Sequence, residues 1–532
     1  MSLRLTWVQP EDLIGHELRQ ADEDGRDVSR IRARWLGAGG SPAPPGAGAS
    51  PAPPPPELRA LALELLDELA GLPSPLAEDE PTGLTAILET CRTTSRPEVP
   101  PPAPSPGPPR APGDYGPRTP PPAHRGAQAR GAGPHPPPEP AHTSQAGAPP
   151  RPAPNPAPSR VAPRPRGPGA PDSGSRGPAT PVGENALHAA WLGRAVGCLL
   201  GKPVEKLPLH AIRGLARATG NWPLATWFTA KGLPPELAAA HPWNRRSATT
   251  SLAENIDGMP EDDDLNYPLL NLLLLQRHGR AFTTEDVARL WLDELPAGRT
   301  FTAERVAYRN LLGGLEPPLT ATHRNPFREW IGAAIRADVH GWTNPGDPVA
   351  AAAQAYRDAA LTHTANGVYA AMFVAAAIAR AAGGGADVHE SIAAGLSVVP
   401  PRSRLARAVR FGVEAACEEA DFDDAVDRIH AAYGSCHWVH AVPNAALLAA
   451  ALTHADGDFS GSVCRAVSGG LDTDSNGATA GSLAGLLAGH PGALPDRWTA
   501  PLKNRLATSV AGFDGIGFDT LARLTHQEAL RP

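Results

Sequence analysis

From residue 183 onward, apolar residues recur at the spacing of an amphipathic helix. In 184–205 they lie four residues apart, at Leu187, Trp191, Ala195 and Leu199. A second series with the same spacing consists of glycines, namely Gly193, Gly197 and Gly201. Positions four apart share one face of an α-helix, and glycine has no side chain to hold a neighbour away. The pattern predicts a first helix that another helix approaches closely.

The helical period continues along the chain, with almost none of the alternation that predicts strands. Further helices are predicted in six stretches, at 302–312, 325–338, 347–361, 365–382, 423–434 and 443–455. The uncharged run from Ala365 to Ala379 is shorter than the ~20 residues that span a membrane, so it predicts a buried helix and no membrane association. We expect an all-α orthogonal helical bundle with its chemistry at helix ends.

Residues 1–95 predict a small helical N-terminal unit. A leucine series from Leu58 to Leu69 shares one helical face, with prolines before it and Gly71 near its end. An apolar face of this kind needs a surface to cover it. We expect the unit to dock either on the rest of the chain or on a protein partner.

The segment 96–182 differs from both flanks in composition. It contains 30 of the 63 prolines and no Leu, Ile, Phe, Met or Trp. Because such a segment cannot bury enough apolar surface to offset its chain entropy, we expect a disordered Pro/Arg-rich linker. The third domain, 183–532, is long enough for one large core.

Net charge and cysteine content argue against two classes, nucleic-acid-binding proteins and disulfide-bonded secreted proteins. The formal net charge is −7, so no specific nucleic-acid partner is expected. The five cysteines are odd in number and widely spaced, which is typical of reduced thiols. The N-terminus shows no apolar segment of the signal-peptide kind. These features predict a cytoplasmic protein.

Three polar clusters lie at predicted helix starts. The acids 261–264 precede one apolar helix, "GGLDTDSNGATAG" at 469–481 precedes another, and "THTANG" at 362–367 opens a third. Adjacent carboxylates at a buried helix start repel one another unless a cation neutralises them, and oxygen ligands suit Mg²⁺, Mn²⁺ or Ca²⁺. Alone, the acidic run is more typical of a helix cap, "DTDSNG" is compatible with a turn, and His363 is more typical of a capped or core histidine. They point to a site only together.

Together the clusters resemble the ADP-ribosylglycohydrolase family, which includes the dinitrogenase reductase-activating glycohydrolases. The resemblance rests on four stretches, "GCLLGKPVE" (197–205), "DDDL" (262–265), "THTANG" (362–367) and "GGLDTDSNGATAG" (469–481). It covers about 185–525. It implies an all-α catalytic domain with two Mg²⁺ ions, Mn²⁺ being a substitute, that hold a water and the distal ribose of ADP-ribose.

The resemblance also implies roles for individual residues. The implied metal ligands are Asp262, Asp263, Asp264, Asp472, Asp474 and Ser475. The implied catalytic residues are Glu205, as general acid or base, with Asp263 and Asp474. The implied ligand-lining residues are Thr362, His363, Asn366, Gly367, Gly332, Tyr433, His440 and Asn476. The loop that contains Tyr433 and His440 is equally compatible with ordinary packing.

The chain departs from the family pattern at two motifs. The family's Thr-Asp-Asp-Thr reads Asp262 to Leu265 in one alignment, and a shift by one residue assigns the ligand roles to Glu261, Asp262 and Asp263 instead. Either way the site gains a negative charge and loses a hydroxyl. The last motif carries an inserted Leu471, and the loop 329–338 keeps Gly332 without the family's Asn.

The resemblance implies Mg-dependent hydrolysis of an N- or O-glycosidic bond between ADP-ribose and a protein or small-molecule acceptor. The intact acids at 263, 264, 472 and 474 favour an enzyme. The alternative is a weakly active or inactive ADP-ribose-binding regulatory module, which the lost threonine and the long N-terminal extension favour. Arginine, serine, an acetyl group or a nucleobase remain equivalent as acceptors.

Overall fold

The computed structural model describes residues 8–43, 46–50, 54–94, 182–245 and 247–531. Within these ranges the regular elements are helices, and extended pairing is confined to three isolated bridges. The all-α prediction is confirmed. The linker predicted at 96–182 lies outside the described residues except for Val182, and the described parts on its two sides form one compact unit.

The N-terminal unit is helical, as predicted. Its helices are α1 (Pro10–Glu23), α2 (Ser29–Gly37), α3 (Pro56–Ala70) and α4 (Leu84–Thr94). The leucine face of α3 is buried at Leu65, Leu66 and Leu69, and α3 packs on α1. The spacing of the leucines therefore decides which side of α3 turns inward.

Helices also build the larger domain. The first ten are α5 (Glu184–Gly201), α6 (Leu209–Ala218), α7 (Pro235–Ala240), α8 (Ala248–Ser251), α9 (Asp263–His278), α10 (Thr284–Glu294), α11 (Thr302–Leu312), α12 (Leu319–Thr322), α13 (Asp338–Trp342) and α14 (Pro348–Ala359). The others are α15 (Ala365–Ala382), α16 (Val388–Leu396), α17 (Arg404–Glu418), α18 (Phe422–Tyr433), α19 (Ala441–His454), α20 (Phe459–Ser468), α21 (Thr473–Ala488), α22 (Asp496–Thr499) and α23 (Phe518–Leu530).

At 325–338 the structure differs from the predicted helix. Only a 3₁₀ helix, Ile331–Arg336, precedes α13. Trp330 forms an antiparallel bridge with His440, and the Ile331 amide donates to the Val439 carbonyl at 3.0 Å. These long-range hydrogen bonds replace the local ones that an α-helix would need.

The glycine series of α5 meets a second glycine series in α21. A Cβ on Gly197 would overlap the Gly477 carbonyl, and a Cβ on Gly477 would overlap the Gly197 carbonyl. Glycine at both positions lets the two backbones touch. The Thr473 hydroxyl donates to the Gly201 carbonyl at 2.9 Å, so the end of α5 lies against the start of α21.

Helix α15 is the one described helix that is long and apolar enough to cross a membrane by length and composition. In the structure 94% of it is buried inside the protein. It packs between α14 and α16, as a core helix does. The prediction of a buried helix at this position agrees with that placement.

The N-terminal unit packs on the larger domain through a buried polar interface. The Arg404 guanidinium pairs with Glu80 at 2.6 Å and with Glu329 at 2.8 Å. The His16 ring of α1 meets the edge of the Trp330 ring, with centroids 5.8 Å apart. Part of the surface of this unit is thus covered by its own chain, and the expected partner protein stays a prediction.

Candidate metal and ligand site

The acidic run 261–264 begins α9. The Asp262 side chain caps the helix by accepting from the Asp264 amide at 2.9 Å, so Asp263 and Asp264 lie in the first turn. Glu261 instead pairs with the Arg299 guanidinium at 2.6 Å. Glu261 is thus held by Arg299, while Asp262 caps α9 and Asp263 and Asp264 lie in its first turn; the choice between the two alignments stays a prediction.

The last motif forms a sharp turn into α21. Leu471, the inserted residue, has φ of 61°, in the left-handed region, two residues before α21 begins at Thr473. The Asp472 amide then donates to the Asn444 side-chain oxygen at 3.1 Å. Asn444 also accepts from the Asn476 side chain at 2.7 Å. Asn444, in the first turn of α19, therefore holds the segment before α21 through two hydrogen bonds.

The start of α9 lies against the start of α21, and this contact brings the two acidic motifs together. The Ser475 hydroxyl lies 3.4 Å from Asp264 Oδ2, and Cys198 Sγ lies 4.0 Å from the same oxygen. One possible ligand atom each from Cys198, Asp262 and Asp264 lies within 4.8 Å of the others. Residues far apart in the chain therefore share one small buried region.

Burial and mutual repulsion dominate the electrostatics of this region. Burial raises the pKa of Asp263 well above its ordinary value, and the neighbouring Asp262 adds to the rise. Burial also raises the pKa of Asp472, with Asp474 as the next cause. The pKa of Asp474 rises to about 7, through burial first and then Glu205. Desolvated carboxylates this close together are stabilised by a bound cation.

Two basic residues that the sequence analysis did not assign reach the acids. The Lys202 ammonium contacts the Asp262 carboxylate, and Arg194 lies 3.2 Å from Asp264 while also pairing with Asp338. Burial alone would raise the pKa of Asp262, but the Lys202 ammonium, together with the hydrogen bonds from the Asp264 amide and Cys198, lowers it below its ordinary value. Lys202 and Arg194 could have been identified from the sequence, because each is a positively charged residue in a stretch whose periodicity predicts burial.

Glu205 lies at the rim of the acid cluster. Its side chain is 18% exposed, against 3% for Asp264. One carboxylate oxygen accepts from the Asn244 amide group at 2.7 Å, and the other lies 2.7 Å from the Lys206 ammonium. A partly exposed carboxylate beside buried ones can exchange protons with solvent and with a bound ligand.

A cavity of about 350 Å³ adjoins this rim. Lys206 and Leu471, the chain neighbours of Glu205 and Asp472, line one side, while Tyr433 and Trp438 line another. The sequence analysis placed Tyr433 at the ligand, and the structure places it in this wall. A lining with aromatic rings and a lysine suits a ligand that has a flat ring and a negative charge.

The "THTANG" cluster engages other protein groups. The Thr362 hydroxyl accepts from Arg336 at 2.8 Å and lies 2.6 Å from His363 Nδ1. Burial lowers the pKa of His363 well below its ordinary value, so the ring is neutral. The Asn366 side chain donates to the Glu329 carboxylate at 2.8 Å. These bonds tie α15 to the neighbouring loop and to the N-terminal interface.

The two predicted ligand glycines are positions of close backbone packing. A Cβ on Gly332 would overlap the Glu304 carboxylate. A Cβ on Gly367 would come within 2.5 Å of the Arg328 carbonyl. Any larger residue would push these neighbours away, so both glycines serve the packing of the 3₁₀ helix and of α15.

His440 and Asn476 occupy opposite ends of one hydrogen-bonded group. His440 caps α19 by accepting from the Val442 amide at 3.2 Å, and its Nε2 lies 3.4 Å from a Glu23 oxygen of α1. Asn444 donates to the His440 carbonyl at 2.9 Å and accepts from Asn476. Asn444 was missed by the sequence analysis, although an Asn at the start of an otherwise apolar helix is a usable signal.

Comparison with known proteins gives one family match. Residues 180–529 match the family model for ADP-ribosylglycohydrolase, a range that includes the acid cluster and the cavity. Among solved structures, the chain is similar to an "ADP-ribosylglycohydrolase-related protein complex" at 22% sequence identity and a TM-score of 0.40. That alignment covers 65% of this chain and 99% of the other. No curated protein matches.

Proposed function

Because this chain belongs to the ADP-ribosylglycohydrolase family, we propose that it hydrolyses an N- or O-glycosidic bond between ADP-ribose and a protein or small-molecule acceptor. The observation that carries the proposal is the convergence of Asp264 and Ser475 with the acids at 263, 472 and 474, next to the cavity of about 350 Å³. Hydrolysis needs a polar reaction centre beside a space for substrate, and this arrangement supplies both.

The donor set fits a hard divalent cation, and we propose Mg²⁺ with Mn²⁺ as a substitute. Asp263, Asp472 and Asp474 would hold it with carboxylate oxygens and Ser475 with a hydroxyl. The raised pKa values of these acids support the fit, because a cation would relieve their repulsion. When bound, such an ion lowers the pKa of a coordinated water and orients sugar hydroxyls.

Glu205 is our candidate for the general acid or base. Glycoside cleavage passes through an oxocarbenium-like transition state and needs a carboxyl group that can give or take a proton. Glu205 is near enough to contribute to the raised pKa of Asp474 and is more exposed than the buried acids. Asn244 and Lys206 fix its two oxygens in place.

The cavity is our candidate for the adenosine site. Tyr433 and Trp438 offer ring surfaces to a nucleobase, and Lys206 offers a positive charge to a diphosphate. The bound ADP-ribose would then place its distal ribose toward Glu205 and Asp472. The acceptor would leave from that ribose, on the solvent side of Glu205.

A second function, ADP-ribose binding with little turnover, is favoured by one observation. Lys202 occupies part of the acid cluster, where it reduces the negative charge available to a cation. In that case the domain would bind ADP-ribose and act as a regulatory module. The two functions differ in the role of Glu205, which matters to hydrolysis and much less to binding.

The test is calorimetric titration of ADP-ribose into the full chain, first with Mg²⁺ and then with EDTA. We expect metal-dependent binding that is lost in Asp472→Asn/Asp474→Asn and kept in the surface control Asp458→Asn. Turnover is then measured on substrates with ADP-ribose on arginine, on serine and on an acetyl group. Absence of binding with either additive would refute both functions.

Glu205→Gln separates the two functions. For an enzyme we expect turnover to fall at least about 100-fold, the usual scale of a lost general acid or base, with the affinity for ADP-ribose within about threefold of the native value. A native chain that binds ADP-ribose and hydrolyses none of the three linkages would instead support the binding module.

A further inference from the structure

Lys202 lies in the turn that follows α5, beside the acid cluster. Its ammonium contacts Asp262 Oδ2 and lies 3.4 Å from the Glu261 carbonyl oxygen. The residue is 7% exposed, so its charge is shielded from solvent. Buried lysines need a carboxylate partner because an unpaired buried charge is strongly destabilising. Asp262 is that partner.

The backbone on both sides holds Lys202 in this place. Gly201, the residue before it, packs directly on the backbone of Thr473 at the start of α21. Pro203, the residue after it, is buried in the same 3₁₀ turn. The backbone at Lys202 is therefore held in place close to the acid cluster, so its side chain has only a short distance to reach.

Both oxygens of Asp262 are already engaged. Oδ1 accepts from the Asp264 amide at 2.9 Å, and Oδ2 contacts the Lys202 ammonium. A metal ion on Asp262 would have to share an oxygen with the Asp264 amide or with the Lys202 ammonium, and the ammonium would repel it. Within the described residues, no lysine forms an ion pair with the acids at 263, 472 or 474.

We propose that the Lys202 ammonium permanently takes one of the two cation positions that the family resemblance implies, so that the chain holds a single divalent cation. This inference rests on the proposed function, since it concerns the same acid cluster. The ion would bind the carboxylates of Asp263, Asp472 and Asp474. Asp262 would serve as the counter-ion of Lys202.

Like charge disfavours a second divalent cation at the place that the Lys202 ammonium occupies. The cluster contains five aspartates, at 262, 263, 264, 472 and 474. Lys202 neutralises one of them, and Arg194 partly neutralises Asp264 while sharing its charge with Asp338. One divalent cation then compensates part of the remaining negative charge. A second would bring like charge against the buried ammonium.

The test is the number of Mn²⁺ ions bound by the full chain. The protein is equilibrated with Mn²⁺, freed of unbound ion, and analysed for manganese by plasma emission and for protein by amino-acid analysis. We expect one ion per native chain and the electron paramagnetic resonance spectrum of an isolated Mn²⁺. We expect two ions per chain in Lys202→Met, which keeps the stem and removes the charge.

Two variants control the comparison. Lys202→Arg keeps the positive charge and should hold one ion, and Lys231→Met removes an exposed lysine elsewhere and should also hold one. Two ions in the native chain would overturn the inference and leave the proposed function standing. One ion in both the native chain and Lys202→Met would overturn the role of Lys202. No ion in the native chain would contradict the metal premise of the proposed function itself.

The native stoichiometry decides the question even where a variant does not fold. Circular dichroism and the melting temperature of each variant show whether its ion count refers to folded protein. If Lys202→Met fails to fold, Lys202→Gln serves as the second neutral variant, with two ions again expected.

Discussion

Asn444 organises the acid cluster without belonging to it. Its side-chain oxygen accepts from the Asp472 amide and from Asn476, and its amide group donates to the Trp438 and His440 carbonyls. One buried side chain thus joins the turn at Leu471 and Asp472 to the wall of the cavity. Outer residues of this kind hold metal ligands in their geometry.

We predict that Asn444→Leu weakens Mn²⁺ binding by about 10- to 100-fold, the usual effect of removing such a support. The Asp472 amide and the Asn476 side chain would lose their acceptor, so the turn would lose its orientation. Calorimetric Mn²⁺ titration measures the effect, with Asn255→Leu as the control on an exposed Asn. An unchanged Mn²⁺ affinity in Asn444→Leu would show that the turn at Asp472 keeps its conformation without Asn444.

At the scale of elements, the central feature is the pair α5 and α21. Their glycine faces bring the two backbones into contact along most of the pair, from Gly193 with Gly481 to Gly201 with Thr473. The contact sets the position of Lys202 and Glu205 at the end of α5 relative to Asp472 and Asp474 at the start of α21. The site thus depends on helix packing as much as on its own residues.

We predict that Gly197→Ala lowers the free energy of unfolding by about 1–3 kcal/mol or more, because overpacking a core typically costs this much. The added methyl would overlap the Gly477 carbonyl, and backbone atoms cannot move aside as side chains do. Urea unfolding measures the change. Gly214→Ala is the control, because its methyl would meet nothing within 4 Å and should be neutral or stabilising by up to about 1 kcal/mol.

At the scale of the whole molecule, the N-terminal unit packs against the same segments that line the cavity. The Glu23 carboxyl of α1 lies near His440, which caps α19, while His16 packs on Trp330 and His437. Residues 433–440 therefore lie between α1 and the site. Loss of this docking would loosen the wall that holds Tyr433 and Trp438.

Glu23 should make this docking pH-dependent. Burial first, and then Glu329, raises the pKa of Glu23 to about 8, while Arg19 and Arg404 oppose the rise. Between about pH 4.5, the ordinary value, and pH 8, the folded state holds a proton that the unfolded state has lost. The contribution of Glu23 to the free energy of unfolding therefore falls as pH rises through that window, by up to about 1.4 kcal/mol per pH unit.

We predict that Glu23→Gln is more stable than the native chain at pH 8 and similar to it at pH 5. Melting temperatures at both values test this, with the exposed Glu57→Gln of α3 as the control. Burial holds the pKa of His440 near 4, so this ring stays neutral across the range and does not produce the effect. Equal responses of both variants to pH would refute the role of Glu23.

Much of the fold could be predicted from the sequence because short-range patterns determine helices. The four-residue apolar period marked α5 and the buried α15, and the glycine series indicated a close helix contact before its partner was known. The acidic motifs also identified where Asp263 and Asp474 would lie, at helix starts. These features depend on neighbours within a turn or two of helix.

Only the tertiary structure decided which distant groups meet. The pairing of Lys202 with Asp262, the support of Asp472 by Asn444, and the docking of α1 beside the site all join residues far apart in the chain. The 3₁₀ helix at 331–336 likewise follows from hydrogen bonds to the segment before α19. Such contacts depend on how whole helices pack, and local periodicity carries no information about the partner across the interface.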